Sequence, residues 1–207
     1  MVEENETNMK LVFSDTSYKT SIIFFHGFRR SYDDFNPVQK SLSNFNFIEV
    51  SLNDEDYIKP IPKLCEELMR SLPQNQKTVI IAHSQGCFYA IELAKIYPEC
   101  FCKLLLIDPT SKDHEYFKLL QNSIEDPVQK QKLENWDEIP SGLDLSFKVI
   151  VYIHLNIKDT VDKIVYFDQI TNKNIKSRLI VHYNVGHMIH QKLTAVIAQS
   201  ILDLNRV

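Results

Sequence analysis

The stretch TVIIAHSQGCFYAIELAKIYP, Thr78 to Pro98, constrains the fold of this chain more than any other. Thr78–Ala82 has the β-branched, apolar composition of a strand buried on both faces, and from Gln85 to Tyr97 the apolar residues recur with a helical period. Ser84 falls between the two. A strand that passes into a helix this abruptly needs small residues at the bend, and Ala82 and Gly86 supply them on either side of the serine. The inward helix positions Cys87, Ala90, Ile91 and Ala94 are mostly small, which lets the helix lie close against the strands. Pro98 stops it.

The remaining segments repeat the same alternation. Lys10–Phe13 reads as a short edge strand, and Ser21–Phe25 as a buried one that ends at His26-Gly27-Phe28. Ser31 with Asp33 and Asp34 predicts a helix running to about Leu42, followed by a strand at Phe47–Leu52. Pro60 and Pro62 open a helix whose apolar residues Ile61, Leu64, Cys65, Leu68, Met69 and Leu72 form one continuous stripe. Further strands are predicted at Leu104–Ile107, Val149–Ile153 and Arg178–Tyr183, with helices at Val161–Ile170 and from Ile189 to Leu204. Parallel neighbours need crossovers, and the crossovers here are helices. The expected class is therefore α/β, a mostly parallel sheet of about six to eight strands with helices on both faces.

A chain of 207 residues with 44% hydrophobic and 24% charged residues has enough apolar material for one core, so a single domain over 1–207 is expected. Residues 1–8 read as a disordered start. Residues 109–146, polar and charged between two buried strands, read as a small lid or cap insertion. The net charge of −4 is mild and the basic residues are scattered, which gives no footprint for nucleic acid. No apolar run reaches membrane-spanning length, and the polar Met1–Asn8 does not read as an export signal. Cys65, Cys87, Cys100 and Cys102 lie in or beside apolar segments without the spacing of a zinc site, so they are expected to be reduced and the setting cytoplasmic.

Sites in open parallel sheets form at the carboxyl ends of strands. Four ends here carry informative residues: His26-Gly27-Phe28, Ser84, Asp159 and His187. A serine hydroxyl becomes a nucleophile when an imidazole takes its proton, and the imidazole needs a carboxylate to fix its tautomer. These residue types occur in the order Ser, Asp, His.

With these motifs the chain resembles the α/β-hydrolase fold superfamily, serine esterase- or lipase-like, from about Ser21 onward. The nucleophile elbow GxSxG stands as Ala82-His83-Ser84-Gln85-Gly86, with alanine for the first glycine. The oxyanion loop stands as FFHGF, the acid loop as Asn156-Ile157-Lys158-Asp159 with its glycine replaced, and the histidine loop as Val185-Gly186-His187. The resemblance implies Ser84 as nucleophile, His187 as base and Asp159 as acid, with the backbone N–H groups of Phe28 and Gln85 as oxyanion donors. Asp108 is the second choice for the acid, because some members of the family carry it at the end of the strand that here is Leu104–Ile107. His26 and His83 are expected to hold loops. The expected activity is cleavage of a carboxylic ester, or a thioester, of a small acyl substrate through an acyl-enzyme, without metal or organic cofactor. The alternative is a catalytically silent scaffold of the same fold that binds a small ligand or a protein, favoured by the substituted glycines.

Overall fold

The structure is a computed structural model and describes residues 10–13, 18–27, 30–51, 61–72, 77–109, 148–157 and 174–207, with scattered positions between 122 and 145 and between 164 and 172. Among the described residues seven strands form one sheet: β1 Lys10–Phe13, β2 Thr20–Phe25, β3 Asn46–Ser51, β4 Lys77–His83, β5 Lys103–Ile107, β6 Ile150–Ile157 and β7 Arg178–Tyr183. Their order is β1-β3-β2-β4-β5-β6-β7. Only β1 runs antiparallel to its neighbour; all the other pairings are parallel. The mostly parallel sheet expected from the alternation is the one observed.

Because successive strand residues point to opposite faces, each strand feeds two cores. Ile23, Phe25, Ile48, Ile80, Ala82, Leu104, Leu106, Val151 and Ile153 pack with α2 (Ile61–Ser71) and α3 (Gly86–Ile96). Their sequence neighbours Ile22, Phe24, Phe47, Val79, Ile81, Leu105, Ile107 and Tyr152 pack on the other face. There they meet Val38 of α1 (Asn36–Lys40), Ile189 of α4 (Ile189–Lys192) and Ile197, Ile201 and Leu204 of α5 (Thr194–Arg206). A sheet covered on both faces can use continuous apolar strands, which is why Val79–Ala82 and Leu104–Ile107 are fully buried.

Three boundaries differ from the sequence expectation. The helix expected from Ser31 is a 3-10 turn, Tyr32–Phe35, followed by the short α1. Pro37 accounts for the restart: deep in a helix begun at Ser31 its ring would clash with the preceding turn, whereas it fits the first turn of α1. The terminal helix is split at Leu193, whose φ of −118° and ψ of 46° leave the helical region, while the Thr194 hydroxyl bonds the His190 carbonyl at 3.2 Å. Strand β6 runs on to Ile157, paired with β7 through Asn156↔His182 and Ile157↔Tyr183. The polar residues His154 and Asn156 hide this extension from a reading of apolar runs.

The insertion expected at 109–146, the helix at 161–170 and the start at 1–8 lie largely or wholly outside the described residues. No helix among the described residues is long and apolar enough to cross a membrane. All four cysteines are free thiols.

Candidate active site

After β2 the chain moves to one side of the sheet, to β3, and after β4 it moves to the other side, to β5. The carboxyl ends of β2 and β4 therefore flank the point where the winding reverses, the place at which open α/β sheets form a crevice. Gly27 and Ser84 sit there. A Cβ built on Gly27 would lie 3.0 Å from the Ser84 Cβ and 3.0 Å from His83 Nδ1, so the loop after β2 lies tight against the serine turn.

Ser84 has φ +52°, a left-handed conformation that costs a side-chain-bearing residue about 1–2 kcal/mol. The neighbouring structure holds it there. Its N–H donates to Ile107 O at 2.9 Å, continuing the β4–β5 ladder one step past the strand, and its carbonyl accepts from Cys87 N–H at 3.1 Å as α3 begins. Gly86 is required by space: a Cβ there would come within 2.3 Å of the Phe25 carbonyl oxygen. The tight turn read from Ala82 and Gly86 is thus present, with Ser84 almost completely buried at its apex. Gln85 stands at the start of α3, where the first backbone N–H groups of a helix lack acceptors within it.

Asp108 repeats this arrangement one strand along. Its φ is +43°, and its N–H donates to His154 O at 2.7 Å, extending the β5–β6 ladder. The buried carboxylate accepts from Asn156 N–H through Oδ1 at 3.2 Å and meets His187 Nδ1 through Oδ2 at 2.6 Å. His187 lies in the loop after β7, where Asn184 and Gly186 have φ +56° and +89°. Its side chain is 42% exposed, against 5% for Asp108.

His83 anchors this loop from below. Its Nε2–H donates to the His187 carbonyl at 3.0 Å, and the two rings lie 4.5 Å apart between centroids. Burial, reinforced by His187 and His190, holds the His83 pKa well below its usual value, so the ring stays neutral and serves as a fixed donor. His26 pairs its Nδ1 with the Gly27 carbonyl at 2.9 Å, a local brace of the loop after β2.

Of the residues singled out in the sequence, Ser84, Gln85, Asp108 and His187 gather at neighbouring strand ends. Phe28 and Asp159 lie outside the described residues. The sequence reading missed Asn156, which it treated only as a replaced glycine. Its Oδ1 accepts from the N–H groups of both Val185 and Gly186 at 2.9 Å, so it grips the loop that carries His187. The one available signal was its place two residues beyond a buried histidine, on the same face of β6. Among the described residues no group of three or more His, Cys, Asp and Glu is placed to hold a metal ion.

Compared by sequence, the chain matches no protein-family model and no curated protein. Its structure does have counterparts. It aligns with a carboxylesterase from the ammonia-oxidizing thaumarchaeon Nitrososphaera gargenis with a TM-score of 0.76 at 12% identity, covering 96% of this chain and 95% of the other. The fold is the α/β-hydrolase fold. An enol-lactonase from Burkholderia xenovorans gives a TM-score of 0.74 at 10% identity, with 98% of both chains covered. An α/β-hydrolase enzyme from a sediment metagenome of the Mar Chica lagoon, Morocco, gives 0.72 at 14% identity over 98% and 97% of the two chains. Within this fold Ser84 stands at the turn between β4 and α3.

Proposed function

We propose that this protein is a serine hydrolase that cleaves a carboxylic ester, with Ser84 as nucleophile, His187 as general base and Asp108 as the acid that orients it. The observation that carries the reading is the 2.6 Å contact between His187 Nδ1 and a buried Asp108 carboxylate beside a serine held at φ +52°. With Nδ1–H committed to Asp108, Nε2 is the nitrogen left to accept a proton from Ser84. The carboxylate also favours the imidazolium that forms as the serine attacks.

Ser84 Oγ adds to the acyl carbon, and the Gln85 N–H, joined by that of Phe28, receives the developing oxyanion. The tetrahedral intermediate collapses to an acyl-enzyme as His187 protonates the leaving alcohol. Water activated by the same imidazole then releases the acid. The same steps serve a thioester, whose leaving group is a thiol. The solved esterases and lactonase of the same fold support an ester-type substrate. The insertion expected at 109–146, between β5 and β6, is where an acyl pocket would be completed. Asp108 takes the role that the motif around Asp159 suggested for that residue.

The test is covalent labelling with a fluorophosphonate, together with hydrolysis of short p-nitrophenyl esters. The wild-type protein should be labelled and should turn over, and Ser84→Ala should lose both, with turnover falling on the order of 10⁴-fold or more. A folded wild-type protein that is neither labelled nor active would instead favour a silent scaffold.

A further inference from the structure

We propose that Asn156 is a positioning residue that sets the distance between the acid and the base by holding both. This rests on the Ser84–His187–Asp108 reading and deepens it. Asp108 and His187 come from different strand ends, 79 positions apart in the chain. Asn156, in β6 between those strands, reaches each of them. Its backbone N–H donates to Asp108 Oδ1 at 3.2 Å, leaving Oδ2 for His187. Its side-chain Oδ1 takes the two successive N–H groups of Val185 and Gly186, both at 2.9 Å, immediately before His187.

The chemistry of the carboxamide suits this place. Two converging N–H donors demand an acceptor oxygen, which fixes the amide orientation without ambiguity. Glycine, the residue that the acid-loop motif would carry here, has no such oxygen and could not hold the loop. Asn184 N–H also donates to Ile157 O at 3.2 Å, and Lys192 Nζ caps the Val185 carbonyl at 2.5 Å, so the loop is tied at its start and braced from α4. Apart from His187 itself, Asn156 is, among the described residues, the one that bonds both the loop and the carboxylate. A loop turned through left-handed residues at 184 and 186 would relax without these bonds, and the 2.6 Å contact is the first to lengthen.

The test compares Asn156→Ala and Asn156→Asp with the wild-type protein in three measurements: the rate of fluorophosphonate labelling, the pH profile of ester hydrolysis, and the far-downfield proton of His187 Nδ1 in the NMR spectrum, assigned by its loss in His187→Gln. In Asn156→Ala labelling and kcat should fall about 10–100-fold with little change in KM, and the downfield proton should vanish. Asn156→Asp keeps the acceptor oxygen, so it should retain the proton and recover most of the rate. Its added negative charge favours the imidazolium, which moves the acid limb of the profile to higher pH.

The inference is overturned if Asn156→Ala keeps the proton and the rate, or if Asn156→Asp restores neither. If Asn156→Ala does not fold, the retained proton and shifted limb of Asn156→Asp decide the matter. Should the wild-type protein resist labelling altogether, the hydrolase reading fails, and the proton alone still decides whether Asn156 sets the pair. Absence of that proton from the wild-type protein at low temperature also overturns the inference.

Discussion

Two histidines on this side of the sheet, one inside β6 and one after β7, each bond a titratable partner, yet their surroundings are opposite. His154, inside β6, bonds His182 Nε2 through Nδ1 and Ser200 Oγ through Nε2, both at 2.9 Å. His187, after β7, bonds the Asp108 carboxylate and is 42% exposed. A general base must carry positive charge for part of each cycle. Burial, together with the neighbouring His182, pushes the His154 pKa down to about 3, so its charged form is suppressed. His187 instead has a carboxylate, not a second histidine, against its Nδ1. The serines differ as well, since Ser200 is an interior position of α5 whereas Ser84 stands at φ +52° at the start of a helix. A serine in hydrogen-bond contact with a histidine is by itself no sign of a nucleophile; the proposed reading rests instead on a carboxylate behind an accessible ring.

The sharpest way to break the comparison is to remove the feature that separates the two histidines. Asp108→Asn should lower kcat on the order of 10⁴-fold by inverting the tautomer preference of His187, while leaving the fold intact. Asp159→Asn should retain activity to within about tenfold. Steady-state ester hydrolysis by the two variants checks both, and an inverted result would return the acid to Asp159.

A smaller effect comes from the buried rings that stay neutral. His190 lies among His83, His187, Arg30 and Asp34, with neither ring nitrogen hydrogen-bonded to any of the described residues, and burial lowers its pKa to about 4. Above pH ~6.5 the ring is neutral in both folded and unfolded chains and the stability is intact. As pH falls below that value the unfolded chain takes up the proton first, so stability is lost progressively until the folded-state value of about 4 is reached. At pH 5 the loss is about 2 kcal/mol for this ring alone. His190→Phe, which leaves no polar group stranded, should reduce the drop between pH 7 and 5 by that amount in urea denaturation. His154 supplies a similar slope that the variant leaves in place.

The smallest effect tests the other serine. Ser200→Ala should cost about 1 kcal/mol of stability by removing the hydroxyl from His154, and should leave ester hydrolysis unchanged. A loss of turnover there would erase the distinction between the two networks.

What was legible in the sequence follows the range of the interactions involved. The strand-to-helix turn at Ser84 is a local event, written in Ala82, Gly86 and an apolar run, and it stood out at once. The alternation of buried strands and striped helices is equally local. The partner of His187 is not. Asp108 and Asp159 are both placed after strands, and the order of residues does not say which carboxylate the loop after β7 reaches; the extension of β6 to Ile157 brings Asn156 and Asp108 toward that loop. His154 and Asn156 concealed that extension because polar residues on a buried face look like the end of a strand. The break at Leu193 was hidden for the opposite reason, since the apolar stripe from Ile189 to Leu204 continues across it.

The clearance at Gly86 has a consequence for how this chain can vary. With 2.3 Å between a hypothetical methyl group and the Phe25 carbonyl, the start of α3 and the end of β2 behave as one mechanical part, although some sixty positions separate them. Neither can shift without carrying the other. A change in the loop after β2 would be felt as a displacement of Ser84 itself, and the 2.9 Å bond from Ser84 N–H to Ile107 O couples the same turn to β5, so the serine moves with the sheet rather than with any single loop.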